Sequence, residues 1–323
     1  MDKTAGWING FLGVLIFSGS LPATRIAVID IDPMFLTVAR AAIAGVLAVL
    51  LLALFRQRLP ARGDLLPLVV VALGVVVGFP LLTAIALRGM TSAHAIVFIG
   101  LLPLATAIFA VIRGGERPRG LFWLFSISGS AIVASYAWGQ GSGSSAFGDG
   151  LMLAAVIVCG LGYAEGARLS RKLGGWQVIC WALVLSLPLM LPLALFTQPA
   201  SWDGIGWRAL AGLAYVSLFS MLIGFVFWYR GLVQGGTAAV GQLQLLQPFF
   251  GLALAAAVAH EAVGWGMVAT AAAVVACVAG PSALPRYERI VSHCAPPVRW
   301  RGRGIAASVK MNRSKQTSRR WCA

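Results

Sequence analysis

LQLLQPFFGLALAAAVAHE, residues 243–261, reads as a second copy of FIGLLPLATAIFAVIRGGE, residues 98–116. In each copy a proline (Pro248, Pro103) stands inside an apolar run, and a glutamate (Glu261, Glu116) follows thirteen residues later. The match continues upstream. Gly74, Gly78, Gly89 and Thr91 in the first copy answer to Ser220, Gly224, Gly235 and Thr237 in the second, with one residue gained between Thr91 and Pro103. Repetition at this scale is the mark of an internal duplication.

Outward from the paired blocks the chain is a series of ten apolar stretches, each about long enough to span a bilayer. We place them at 7–28, 34–55, 65–87, 91–112, 120–138, 148–167, 176–196, 206–229, 236–258 and 262–281. Hydrophobic residues make up 59% of the chain and charged residues only 11%, too apolar a surface for a soluble domain of 323 residues. The expected fold is therefore an all-α integral membrane protein of ten transmembrane helices. The first stretch is read as a helix and not as a secretory signal: it is long, follows only Lys3, and ends at Thr24-Arg25 without a small-residue cleavage site.

Loop charge predicts the orientation. With a cytoplasmic N-terminus, the inner loops hold Arg56, Arg58 and Arg62, then Arg113, Arg117 and Arg119, then Arg168, Arg171 and Lys172, then Arg230. The outer loops 139–147 and 197–201 carry no Lys or Arg. This is the positive-inside bias, and an even span count puts both termini in the cytoplasm. Five spans per copy is an odd number, so the second copy enters the membrane from the opposite face. The domain expectation is two inverted-topology five-helix repeats, 1–138 and 148–283, followed by a basic cytoplasmic tail at 286–323.

The +15 net charge suggests a nucleic-acid partner only until its distribution is read. Ten of the 25 Lys and Arg lie from Arg286 onward, and most others sit in alternate loops. Membrane topology accounts for the charge, and no nucleic acid is expected as a partner. The tail, non-periodic and basic, is suited to anionic lipid. Five cysteines form no disulfide framework, and no Cys/His spacing suits a metal. No phosphate-binding G-x-x-x-x-G-K-[ST] is present, so ATP is not the expected energy source.

Phe17, Ser18, Gly19 and Ser20, with Pro33, Arg40 and the paired Pro/Glu blocks, resemble the drug/metabolite transporter superfamily, specifically its ten-span EamA-type members. The resemblance covers about residues 7 to 283. Phe17 stands where that family often has Trp, and Pro22 is not a position expected to be proline. The resemblance implies transport of a small metabolite, commonly export, with amino acids and related compounds among the family's substrates. It implies no cofactor, and a bacterial inner (plasma) membrane as the location.

Polar groups inside spans select the candidate site. Pro103 and Pro248 fall about 15–18 Å into their spans at ~1.5 Å per residue, near the midplane, and are expected to kink their helices there. Gln244 and Gln247 share a helical face ahead of Pro248 and offer amide donors and acceptors to a polar substrate; interhelical hydrogen bonding is the alternative role. Ser18, Ser20 and Tyr163 occupy corresponding regions of the two halves, although span hydroxyls usually bond their own helix. His94 is a further substrate-binding or proton-coupling candidate. Arg40 is expected to pair with Asp30 and Asp32 in an outer latch. Arg25 and Arg88, at the same rim, are candidates to attract a carboxylate. Glu165 is expected to form a helix-surface ion pair with Arg168, and Trp228 and Tyr229 are assigned to the interfacial belt.

The leading expectation is a secondary transporter of a small polar metabolite. An integral membrane enzyme acting on a lipid or lipid-linked group is the alternative, and it would need His, Asp, Glu or Cys clustered at one depth. A passive channel or scaffold is the third reading. Oligomeric state is left open.

Overall fold

The computed structural model describes residues 3–114, 120–139, 146–235, 240 and 242–283. Glu116, Thr237 and the basic tail fall outside them. No strand occurs among the described residues.

The helices follow from long apolar runs closed by local caps. α1 (Lys3–Ser18) and α2 (Ser20–Asp30) form one continuous run interrupted at Gly19. α3 (Pro33–Leu54) opens on Asp32, whose carboxylate accepts from Met34 N and Phe35 N, with Pro33 in the first turn. α4 (Arg62–Val71) and α5 (Phe79–Gly89) are joined by a π-helical segment, Ala72–Gly78. α6 (Ser92–Ile99) and α7 (Leu102–Gly114) follow, then α8 (Gly120–Gly139), α9 (Ala146–Leu173) and α10 (Gly175–Phe196). α11 (Trp207–Ala214) and α12 (Gly224–Gly235) flank a second π-helical segment, Tyr215–Ile223. A 3₁₀ turn, Gln242–Leu246, leads into α13 (Gln247–Val258), and α14 (Trp265–Ala283) ends the described chain.

Seven of the helical runs are long and apolar enough to cross a membrane, and Leu243–Val258 and Trp265–Cys277 are shorter apolar helices. Large apolar side chains face outward along them: Leu54, Leu66, Phe147 and Phe196 are exposed. A bilayer supplies the apolar surroundings those side chains need.

The regular α-helix is interrupted just ahead of both prolines. Each lies in the first turn of a new helix, Pro103 in α7 after the break at Gly100-Leu101 and Pro248 in α13 after the 3₁₀ turn. Proline has no N–H to lose at that position, so the sequence that ends one helix also starts the next.

The packing is symmetric under exchange of the two halves. α1 packs on α12 and α2 on α11, while α9 packs on α4, α5 and the π segment between them. α3 pairs with α10 and α8 with α14. The π segments fall at matching places, as Gly74 and Gly78 lie at the first and Ser220 and Gly224 at the second.

Glu261 is a tie over a long sequence distance. Its carboxylate accepts from Ser92 N (2.9 Å), Ser92 Oγ (2.8 Å) and Ala93 N (2.8 Å). These donors are at the start of α6, where N–H groups lack helical partners and a negative charge is favoured. Glu261→Ala should lower stability by about 1–2 kcal/mol, and Glu261→Gln by less, because the amide oxygen still accepts. Thermal unfolding of the two purified variants in detergent checks the order; equal losses would show that a neutral acceptor at this position contributes nothing.

Candidate functional site

Where the broken helices meet, residues from both halves enclose a cavity. α1 and α2 supply Phe17, Ser20 and Leu21, and α3 supplies Arg40. The first π segment and the start of α5 add Val75, Phe79 and Pro80, and α7 adds Leu102. From the other half come Cys159 and Tyr163 on α9, Ser220 and Met221 on the second π segment, Phe225 on α12 and Gln247 on α13. The free space, about 30 Å³, admits roughly two water molecules at ~10–15 Å³ each.

The positions of the helix interruptions explain the lining. π segments, 3₁₀ turns and glycine breaks release backbone groups from the regular ladder and re-aim side chains. Ser20 follows the break at Gly19, Leu102 the break at Gly100-Leu101, and Gln247 the 3₁₀ turn, while Val75 and Ser220 lie within the π segments.

Polar chemistry in the cavity centres on Arg40. It is 4% exposed, and Nη2 donates to Ser220 Oγ at a long 3.4 Å. Ser220 Oγ also shares a 2.8 Å hydrogen bond with Ser20 Oγ. Arg40 Nε is buried without a hydrogen-bond partner, and no ion pair to Arg40 exists among the described residues. Aromatic rings form the adjacent wall. Phe17 and Phe225 lie 4.8 Å apart, Tyr163 lies 5.9 Å from Phe225, and Trp228 lies 6.4 Å from Tyr163.

Of the sequence candidates, Gln247, Tyr163, Ser20 and Arg40 converge here. The others do not line the cavity. Ser18 Oγ donates to Val14 O on its own helix (2.7 Å). Gln244 is buried with Nε2 unpartnered. His94 Nε2 sits 2.8 Å from Asp149 Oδ1, with its ring 5.5 Å from that of Tyr136.

The expected outer latch is not formed. Asp32 caps α3 and lies 3.7 Å from the exposed Arg88, and Asp30 accepts from Gly206 N at 3.0 Å. Both carboxylates are taken by groups at the helix ends, and Arg40, two turns further along α3, is left without them. Arg25 is also occupied, donating to Leu87 O at 2.7 Å at the end of α5. Glu165 corrects another expectation: it is fully buried, not on the helix surface, and binds both Arg113 and Arg168. Trp228 and Tyr229 belong to the core, 2% and 0% exposed, because the helix runs on to Gly235.

Apolar helices long enough to cross a bilayer, with large apolar side chains facing outward, define an integral membrane protein. The particular family follows from comparison. The model of the EamA-like transporter family matches twice, over residues 4–136 and 146–280, and the chain belongs to that family. The chain is 72% identical over 280 residues to "Uncharacterized transporter YdeK" of Bacillus subtilis (strain 168), covering 86% of this chain and 98% of the relative. An "Uncharacterized transporter" of Archaeoglobus fulgidus is 25% identical over 244 residues, covering 74% of this chain and 84% of that one. A solved structure titled "Crystal structure of protein" superposes with a TM-score of 0.64 at 20% identity, over 88% of this chain and all of that one, a likeness of fold. Family and relatives point to a transporter rather than an enzyme. Among the described residues no group of three His, Cys, Asp or Glu could hold a metal.

Proposed function

We propose that the protein is a secondary transporter that exports a small polar metabolite, an amino acid or related compound, across a bacterial inner membrane. Its two EamA repeats act as inverted five-helix units of a ten-span bundle with both termini cytoplasmic. Access to the cavity alternates as one repeat rocks against the other. The observation that carries this reading is the narrow cavity lined from both repeats beside their matched helix interruptions. The symmetric packing supports the repeat relation, and the loop charge supports the orientation.

The test compares metabolites in the medium of cells expressing the chain or its Gln247→Ala variant, at equal membrane abundance. Gln247 lines the cavity with an amide that can donate and accept. Its loss should lower kcat/KM for the exported compound roughly 2- to 10-fold in proteoliposomes, the worth of one neutral hydrogen bond. Unchanged flux would remove Gln247 from the site. A compound chemically converted instead of moved would replace the transporter reading with an enzymatic one.

A further inference from the structure

We propose that the transported species is a small organic monoanion, and that its carboxylate docks on the Arg40 guanidinium. The proposal rests on the transporter reading of the same cavity and narrows its substrate class, from amino acids and related compounds to the related monoanions that lack the ammonium group.

Three observations carry it. First, among the described residues Arg40 is the one charged side chain lining the cavity, and no described Asp or Glu lines it. A guanidinium stays protonated at any physiological pH, so the described lining carries one positive charge. A buried charge of this kind is tolerated when it is paired, and no described residue forms an ion pair with it.

Second, the edge of Arg40 that suits a carboxylate is the edge left under-used. Nε and Nη2 present parallel N–H groups on one side of the guanidinium plane, the fork that a carboxylate takes in bidentate fashion. Arg168 uses that same edge on Glu165, with Nε at 3.0 Å and Nη2 at 2.8 Å from Oε2. In Arg40 the Nε is unpartnered and Nη2 holds only the 3.4 Å bond to Ser220. A carboxylate reaching this edge displaces one long bond and gains two short ones. Ser220 keeps its 2.8 Å bond to Ser20, so the hydroxyl is not orphaned by the exchange.

Third, the rest of the cavity selects the body of the ligand. Phe17, Leu102, Met221 and Phe225 also line it and favour an apolar or aromatic chain. Among the described residues no carboxylate in the lining would pair an ammonium group, which disfavours a zwitterion. A phosphate monoester carries −1.5 to −2 charges at neutral pH, more than a single Arg compensates.

The test uses three probes with one isobutyl body: 4-methyl-2-oxopentanoate (anion), leucine (zwitterion) and leucinamide (cation). Thermal unfolding of the purified full chain gives binding without transport. Counterflow in proteoliposomes gives flux, and an imposed potassium diffusion potential tests for net charge movement. The oxo acid should stabilise the protein and move saturably, leucine at least tenfold more weakly, and leucinamide not at all. Arg40→Gln should lower kcat/KM for the oxo acid roughly 10- to 100-fold, the range of a charged hydrogen bond, while Arg40→Lys keeps part of it.

Acid-over-amide selectivity is read in the unmodified chain, so it stands even if a variant does not fold. Equal responses to the three probes, no response to any, or a response untouched by Arg40→Gln would overturn the proposal. Saturable flux of a component of a labelled metabolite extract, independent of Arg40, would overturn it and leave the transporter reading standing. Absence of saturable flux for every component would sink the transporter reading itself.

Discussion

Gly74→Leu and Gly162→Leu should each abolish accumulation of folded protein in the membrane, whereas Gly150→Leu should leave it unchanged. The difference is one of space. α9 crosses the first π segment at Gly74 and Gly162 with no room for a side chain. A Cβ on Gly74 would lie 2.5 Å from Val158 O and 3.1 Å from Gly162 Cα. A Cβ on Gly162 would lie 2.6 Å from Val75 Cγ2 and 3.4 Å from Gly74 Cα. The first clash is with a backbone carbonyl, which cannot rotate away. Water-driven burial is absent between helices in a bilayer, so their association depends on this kind of close contact. Four added carbons would push apart the contact on which α4, α5 and α9 assemble, beyond the ~1–3 kcal/mol usual for overpacking. Gly150, by contrast, has nothing within 4 Å of a built Cβ. Fluorescence size-exclusion of detergent extracts reads the outcome; a sharp, full-height peak for Gly74→Leu would show that the two helices do not meet as described.

The same junction shows how far the sequence could be read. Apolar runs place the helices, because they depend on local composition alone. The paired Pro/Glu blocks mark where helices are interrupted, and the cavity residues Ser20, Tyr163 and Gln247 could be chosen as polar groups in apolar runs, while Arg40 reads in sequence as part of an outer latch. What kind of interruption occurs was not legible. Nothing in Ala72–Gly78 or Tyr215–Ile223 announces a π segment, since the extra residue per turn is set by packing against another helix. Partners were misread where nearness in sequence stood in for nearness in space. Asp30 and Asp32 are the acids closest to Arg40 along the chain, yet helix-end N–H groups claim both. Arg113, bound to Glu165, comes from 52 residues away. Trp228 and Glu165 look terminal only if the spans stop at Tyr229 and Ala167, whereas α9 runs to Leu173 and α12 to Gly235.

Removing Arg113 and Arg168 together should be more damaging than removing the acid they share, and adding Glu165→Gln to the double variant should restore much of the loss. Glu165 is 0% exposed, while Arg113 and Arg168 are 46% and 47% exposed. The two sides of the cluster are therefore unequal. With Glu165→Gln, two half-exposed guanidinium groups turn to water and lose little, as surface pairs do. With Arg113→Ala and Arg168→Ala, a carboxylate is left in the interior without its two cations. Breaking a buried pair in this way costs about 3–5 kcal/mol. At roughly 2–4 °C per kcal/mol for a chain of this size, the unfolding midpoint should fall by on the order of 10 °C. The triple variant buries a neutral amide in place of the bare charge and should recover most of that fall. A simple sum of contacts predicts the reverse order, with the triple variant worst of all. Midpoints of the four proteins in one detergent decide between the two: a triple variant no more stable than the double would mean that Glu165 is not held as a buried anion. The cluster also joins α7 to α9 near one end of the bundle, while His94 and Asp149 join α6 to α9 near the other.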